Sequence, residues 1–344
     1  MNHSFKDTND TFIPIYKYNT KLNTDSVEWC PHEPYQNFFV CANYQLNPDT
    51  NARVGNILLF SVSSQTGLKL WQTLETFGVL DQKWCHYTIN GSSVLGVVNS
   101  NHSLEIYKFY ECQLQLITCY QLKEDVLILS LDWSTGKHND KLEIICSDSK
   151  GFCHMFCLED DILNYQASYP AHCYEAWISA YYYWNTNMFF SGGDDCLFLK
   201  FDKRCGAEPV FKNKTHEAGV TSIHSNVAKE FMLVTGSYDE KIRLWDLRAM
   251  KEPSAVVQMP GPVWRLKWDP RTFKYLLAAC MLGGAHVLHD LKLVSSYYEH
   301  QSMVYGADWS YMDESSSLEN CKENKVIATC SFYDNFLCVS RLNL

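Results

Sequence analysis

The chain has 344 residues, 46% hydrophobic and 14% aromatic with 21 Tyr and 10 Trp, which suffices for two average domains or one large all-β domain. Lys and Arg number 29 against 39 Asp and Glu, a net charge of −10, which argues against a nucleic-acid binder that works by neutralising phosphates. Fifteen cysteines without a secretory signal or any C-x-x-C pair read as reduced, mostly buried thiols, and exclude a disulfide scaffold.

In chain order, the opening MNHSFKDTNDTF is polar and lacks the apolar run of a signal peptide. FIPIYKYN, Phe12 to Asn19, alternates as a strand does. A motif ending in Trp then recurs: DSVEWCP at Asp25, DQKWCH at Asp81, LSLDWS at Leu129, VWRLKWDP at Val263 and VYGADWS at Val304, with looser copies ISAYYYWN at Ile178 and VTSIHSN at Val220. A β-rich run with a small-residue or Asp turn follows each copy, as in FFVCANY, MFFSGGDDCLFLKFD and FMLVTGSYDEKIRLWD. These runs are short and bounded by Gly, Asp, Asn and Ser, without the i, i+3, i+4 apolar spacing of helical repeats. Seven units about 40 to 55 residues apart predict an all-β, seven-bladed WD40 β-propeller, one domain over 1–344. The approximate blades are 25–62, 80–110, 126–158, 172–203, 216–248, 261–290 and 300–342, and strand 12–19 completes the last blade to close the ring.

In TGSYDEKIRLWDLR, Thr235 to Arg248, the residues of a catalytic triad have another use. The repeat pattern puts His216 in the loop leading into blade five, Thr235 on its second strand, Asp239 in the following turn and Trp245 on the third strand. Such a quartet forms a buried hydrogen-bonded chain from indole through hydroxyl and imidazole to carboxylate, and its members saturate one another. Blade four keeps His172, Ser191 and Asp195 but has Phe201 for the Trp, and blade six has Gly283 in place of the Asp. All of these are read as scaffold.

Propellers bind at the face where the loops leading into each blade meet the turns between second and third strands. There the pattern places Asp194, Tyr238 and Tyr333, with Asp25, Asp81, Trp264, Arg265 and Tyr305 near the starts of the innermost strands. The longer loop AHCYEAWISA brings Glu175 and Trp177 over the channel. The result is an aromatic-walled mouth with carboxylates and one guanidinium, suited to a flat or cationic group. No G-x-S-x-G or H-E-x-x-H motif occurs. Ser147–Lys150 matches S-x-x-K only in a strand turn, and Cys85 and His86 point to opposite faces of a strand. Cys146, Cys153, His154 and Cys157 lack zinc-finger spacing, so neither a metal site nor a cofactor is expected. The longest apolar stretch, Tyr275 to Leu288, is too short to cross a membrane, and a cytoplasmic protein is expected.

The wording of the repeats is more specific than the propeller pattern. DSVEWCP, LSLDWSTGK, EAWISA, FSGGDD, TGSYDEKIRLWD, VWRLKW, LLAACM, VYGADWS and ATCSFYD occur in this order. Together they resemble the diphthine methyl esterase family, the WD-repeat proteins of diphthamide biosynthesis, over Asp25 to Val339. The resemblance implies an enzyme that removes a methyl ester from methylated diphthine on a histidine of elongation factor 2, releasing methanol. Elongation factor 2 would be the protein substrate, and other enzymes of that pathway are further candidate partners. On that reading Trp177, Tyr238, Trp264, Tyr305 and Tyr333 enclose a trimethylammonium group. Asp194 or Glu175 counters its charge or acts as general base, and Arg265 steadies the oxyanion. The competing reading is a non-catalytic adaptor or scaffold, with Trp245-Asp246-Leu247-Arg248 fitting the W-D-x-R pattern of propellers that recruit substrates to cullin-type ubiquitin ligases.

Overall fold

A computed structural model describes residues 12–135, 141–312 and 324–344. The polar stretch through Thr11 and the end of the LSLDWSTGK phrase lie outside them. Among the described residues the strands form seven four-stranded antiparallel sheets, six consecutive in sequence and the seventh assembled from both ends of the chain. Phe12–Asn19 pairs antiparallel with Phe336–Asn343, from Phe12 against Leu342 to Asn19 against Phe336. This is the expected seven-bladed propeller, closed by its N-terminal strand. The blades span 23–77, 79–121, 128–170, 178–213, 220–258, 265–297, and 304–343 with 12–19.

The recurrent Trp explains how the ring holds. An innermost strand has one edge facing the next blade rather than a partner strand, so its polar backbone groups need other partners. Trp84 Nε1 donates to the carbonyl of Glu28 at 3.2 Å, Trp133 to Lys83 at 2.9 Å and Trp309 to Lys267 at 2.9 Å, each reaching the preceding blade. Side chains cap the opposite groups: Asp308 accepts the backbone N–H of Trp29, Asp81 that of Leu131 and Asp132 that of Tyr181. Removing a clamp such as Trp133, fully buried, costs about 3–5 kcal/mol in packing alone. In blade four the position of the clamp belongs to Tyr181, three residues before the Trp184 of the repeat. The innermost strand there is only Ile178–Tyr181, and Tyr181 faces Phe189 as Trp29 faces Phe39.

The scaffold quartet of blade five is present with one insertion. Trp245 Nε1 donates to Thr235 Oγ1 at 2.9 Å, and His216 Nε2 lies 2.9 Å from the same oxygen. The expected imidazole–carboxylate contact is stretched to 3.5 Å, because Arg243 bridges it, donating to His216 Nδ1 at 2.8 Å and to Asp239 at 2.7 Å. Burial would raise the Asp239 carboxyl, but His216, the Glu217 N–H and Arg243 together hold it well below the usual range. Blade four shows the direct chain, His172 to Asp195 at 2.8 Å and to Ser191 at 2.9 Å. In blade three His154 pairs with Asp148 at 3.0 Å and with Tyr165, and so is taken up within its own sheet.

Burial pushes His286 and His300 down to about 4. They are neutral in the fold but titrate near 6.5 in the unfolded chain, so below that pH the unfolded state binds more protons. Stability is therefore expected to fall as pH drops from about 6.5 toward about 4, read as a falling urea midpoint.

Candidate functional site

The loop that leads into blade four is held by the preceding blade. Gly151 adopts φ +90°, and a Cβ there would lie 2.2 Å from the carbonyl oxygen of His172 and 2.6 Å from that of Tyr174. That close approach lets the Gly151 carbonyl accept the N–H groups of Ala171 and His172, while the Asp148 carbonyl accepts that of Ala176. The loop thereby sets Glu175 and Trp177 beside the blade-four turn. Trp177 Nε1 donates to Asp194 Oδ1 at 3.0 Å, and the Glu175 carbonyl accepts the Asp194 N–H at 2.9 Å.

From Trp177 a continuous aromatic wall runs around the mouth. Its ring centroid is 6.0 Å from Tyr238 and 5.7 Å from Trp264, and Trp264 is 5.9 Å from Tyr238 and 4.8 Å from Tyr305. Phe332, absent from the sequence expectation, continues the wall at 5.2 Å from Tyr305 and joins it to Tyr333 at 5.0 Å. Tyr333 is 67% exposed and forms the outer lip. The five aromatics expected from sequence thus converge, Trp177, Tyr238 and Trp264 in mutual contact, Tyr305 against Trp264 and Tyr333 through Phe332. Asp194 borders the same wall through its bond to Trp177, and its charge and that of Glu175 raise the Tyr238 hydroxyl after the larger effects of burial and Tyr305. The indole N–H of Trp264 has no acceptor.

Arg265 lies one layer lower than a mouth residue. Buried in the channel, its Nη2 is 3.0 Å from Asp81 Oδ1. Burial would lower it, but Asp81, Glu28 and Asp25 keep the guanidinium charged. The sequence reading put Asp25 near the mouth without a role. Burial pushes its carboxyl up to about 8, with Arg265 opposing and Asp81 adding to the rise, and its Oδ1 has no hydrogen-bond partner. After the larger effect of burial the charge of Asp25 is felt at Tyr305, and Asp25 holds in blade one the bulge position that Tyr305 holds in blade seven, so this carboxyl is level with the aromatic wall. A carboxyl that titrates near neutrality beside an aromatic wall, with a guanidinium one layer below, has the chemistry of a general base and an anion-stabilising donor. Its signal in the sequence was only a position, since an Asp at the start of an innermost strand more often caps a neighbouring N–H, as Asp81 does for Leu131.

The W-D-x-R segment is engaged with itself. Arg248 binds both oxygens of Asp246, at 2.9 and 2.7 Å, and stacks 4.9 Å over Phe231. Among the described residues no helix is long and apolar enough to cross a membrane.

The fold and this mouth define a WD40-repeat propeller with an aromatic, acid-rimmed recess at one end of its channel. The family described as WD domain, G-beta repeat matches residues 207–246, which include the first three strands of blade five. A chain from the crystal structure of the mitotic checkpoint complex superposes with a TM-score of 0.72 over 100% of this chain and 97% of that one, at 16% identity, which speaks for the fold alone. Diphthine methyltransferase of Mus musculus is 41% identical over 88% of this chain and 70% of its own length. The Dictyostelium discoideum homolog is 35% identical over 93% and 98%. The chain belongs to the diphthine methyltransferase family.

Proposed function

We propose that this enzyme of the diphthine methyltransferase family hydrolyses the methyl ester of methylated diphthine on elongation factor 2, giving methanol and the free carboxylate. The observation that carries the reading is the position of Asp25 in the layer of the aromatic wall, level with Tyr305, with Arg265 one layer below. The trimethylammonium group of diphthine sits against Trp177, Tyr238, Trp264 and Tyr305, with Tyr333 at the lip and Asp194 and Glu175 balancing its charge. The ester then reaches into the throat. Ionised Asp25 takes a proton from a water, whose oxygen attacks the ester carbonyl carbon. Negative charge moves to the carbonyl oxygen, where Arg265 stabilises it. When the tetrahedral intermediate collapses, the C–OCH3 bond breaks and Asp25 returns the proton to the leaving methoxide. Asp25 thus takes the base role that sequence reading divided between Asp194 and Glu175.

The direct test is incubation of the purified protein with methylated-diphthine elongation factor 2, followed by mass analysis. Loss of one methylene mass with release of methanol is the expected outcome. No change would leave a binding module. The enclosure has its own test in Trp264, which touches three of the other rings. Trp264→Ala is expected to raise KM about tenfold or more with kcat changed much less, as loss of a desolvated cation–π contact implies. An unchanged KM in steady-state kinetics would take the cation out of this enclosure.

A further inference from the structure

The other end of the channel holds a second recess, of about 400 Å³, that no part of the proposed reaction uses. Its floor is a ring built from one equivalent position per blade, the residue before the strand end, which is aromatic in every blade but the fifth, where it is Ser225. Glu28, Lys83, Asp132, His224, Lys267 and Asp308 fill six of the seven positions, and Ala180 of blade four leaves the remaining one open. A residue preceding a clamp could be anything small and polar, so a ring of charges calls for an account.

The ring is short of positive charge. Three carboxylates, Glu28, Asp132 and Asp308, share two lysines: Lys83 is 3.4 Å from Asp132, and Lys267 is 2.5 Å from Glu28 and 3.8 Å from Asp308. Asp132 and Asp308 also accept backbone N–H groups, from Tyr181 and Trp29. Among the described residues the Glu28 carboxylate has a hydrogen bond only from Lys267, through Oε1, so its second oxygen is left for another donor. Burial pushes the Glu28 carboxyl up despite Lys267, with Asp308 adding to the rise. The histidines do not make up the deficit, since burial and the nearby lysines push His86 and His224 down and keep them neutral. His86 Nε2 faces the carbonyl of Trp133 at 3.1 Å and must carry the proton there, so Nδ1 keeps a lone pair.

The walls are aromatic. Tyr183 stands edge-on between His86, at 4.7 Å, and His224, at 6.0 Å, with Trp268 and Tyr311 lining the same recess. Trp268 departs from the clamp pattern. Its indole N–H reaches no carbonyl of the preceding blade, and its ring, only partly buried, forms wall instead of joint. A recess of this volume with aromatic walls and a few convergent polar groups is what a small organic group requires. A negative floor beneath aromatic faces selects a positive one.

We propose that this lower mouth is a binding site for an organic cation, an alkylammonium or guanidinium on an apolar stem, whose charge pairs with the free oxygen of Glu28 while its stem lies against Tyr183, Trp268 and Tyr311. The site is separate from the ester chemistry and does not depend on it. Two sources share this chemistry, a free amine and a basic side chain of a protein.

The test uses NMR of the full chain carrying Trp264→Ala, so that the upper mouth does not compete for the probe, with the imidazole signals of His86 and His224 assigned by single substitutions. Benzylammonium is expected to shift those two signals saturably and to bind at least about tenfold tighter than benzyl alcohol, a difference of about 1.4 kcal/mol. Glu28→Gln is expected to abolish that preference. A capped Ala-Lys-Ala peptide that binds at least as well as benzylammonium identifies the occupant as a protein side chain, whereas a peptide that binds worse identifies a free amine. Silence of both histidines toward benzylammonium and peptide alike, or benzoate binding as tightly as benzylammonium, overturns the proposal. So does a Glu28→Gln protein that keeps the preference. The comparison of charges on the parent chain stands even if Glu28→Gln folds poorly.

Discussion

Asp25→Asn is expected to lower hydrolysis of the methylated-diphthine ester by about 10²- to 10⁴-fold, the usual worth of a positioned general base. The amide keeps the shape of the side chain, but it cannot take a proton from water. The same substitution is expected to stabilise the protein at alkaline pH. The folded carboxyl titrates at about 8, far above its ordinary value, so it is protonated in the fold and ionised in the unfolded chain between those limits. Over that window the folded state binds the extra proton. The contribution of Asp25 to stability is therefore full at acid pH and is lost as pH rises through about 8. In the Asp25→Asn protein that loss disappears, and its urea midpoint at pH about 9 should exceed that of the parent. In the parent, kcat/KM is expected to climb with pH and level off above about 8, as Asp25 ionises. A variant that hydrolyses at the parental rate, or a parental profile flat across this range, removes Asp25 from the reaction.

Thr235→Val is expected to do the reverse, costing stability and sparing activity. Thr235 Oγ1 is the shared partner of Trp245 Nε1 and His216 Nε2, both at 2.9 Å in a fully buried position. Valine preserves the volume and leaves both donors without an acceptor, at about 1–3 kcal/mol each, so a total of about 2–6 kcal/mol is expected in urea unfolding. The rate of ester hydrolysis per folded molecule is expected to stay within about twofold of the parent, since the side chains of the quartet bond to one another and to Arg243 inside blade five. Loss of hydrolysis at unchanged stability would make the histidine and carboxylate of blade five a reaction centre after all.

Legibility from sequence followed the range of the interaction. The strands, their tight turns and the seven-fold period depend on neighbours in the chain, and alternation with Gly, Asp, Asn and Ser turns displayed them directly. The converging aromatics were also readable, because Trp177, Tyr238, Trp264, Tyr305 and Tyr333 hold fixed offsets within their own repeats, and a ring brings equal offsets together. Blade four misled the reading at Trp184. Three consecutive tyrosines obscured which aromatic ends the strand, and pairing with Phe189 selects Tyr181. Arg243 was hidden for a related reason. On the third strand of blade five a guanidinium normally reads as solvent-facing, yet here it turns inward to join His216 to Asp239.

Sequence alone carried the class of fold, the closing strand, the scaffold quartets and the positions of the wall, since each is written in local pattern and repeated register. The ionisation of Asp25, the placement of Arg265 one layer below the mouth and the whole lower ring came only with closure of the circle. Glu28 and Lys267 are 239 residues apart and meet because blades one and six both turn an edge to a common axis. Burial on that axis sets which carboxyl keeps its proton and which charge goes unmatched. Those are sums over all seven blades, and no single repeat contains them.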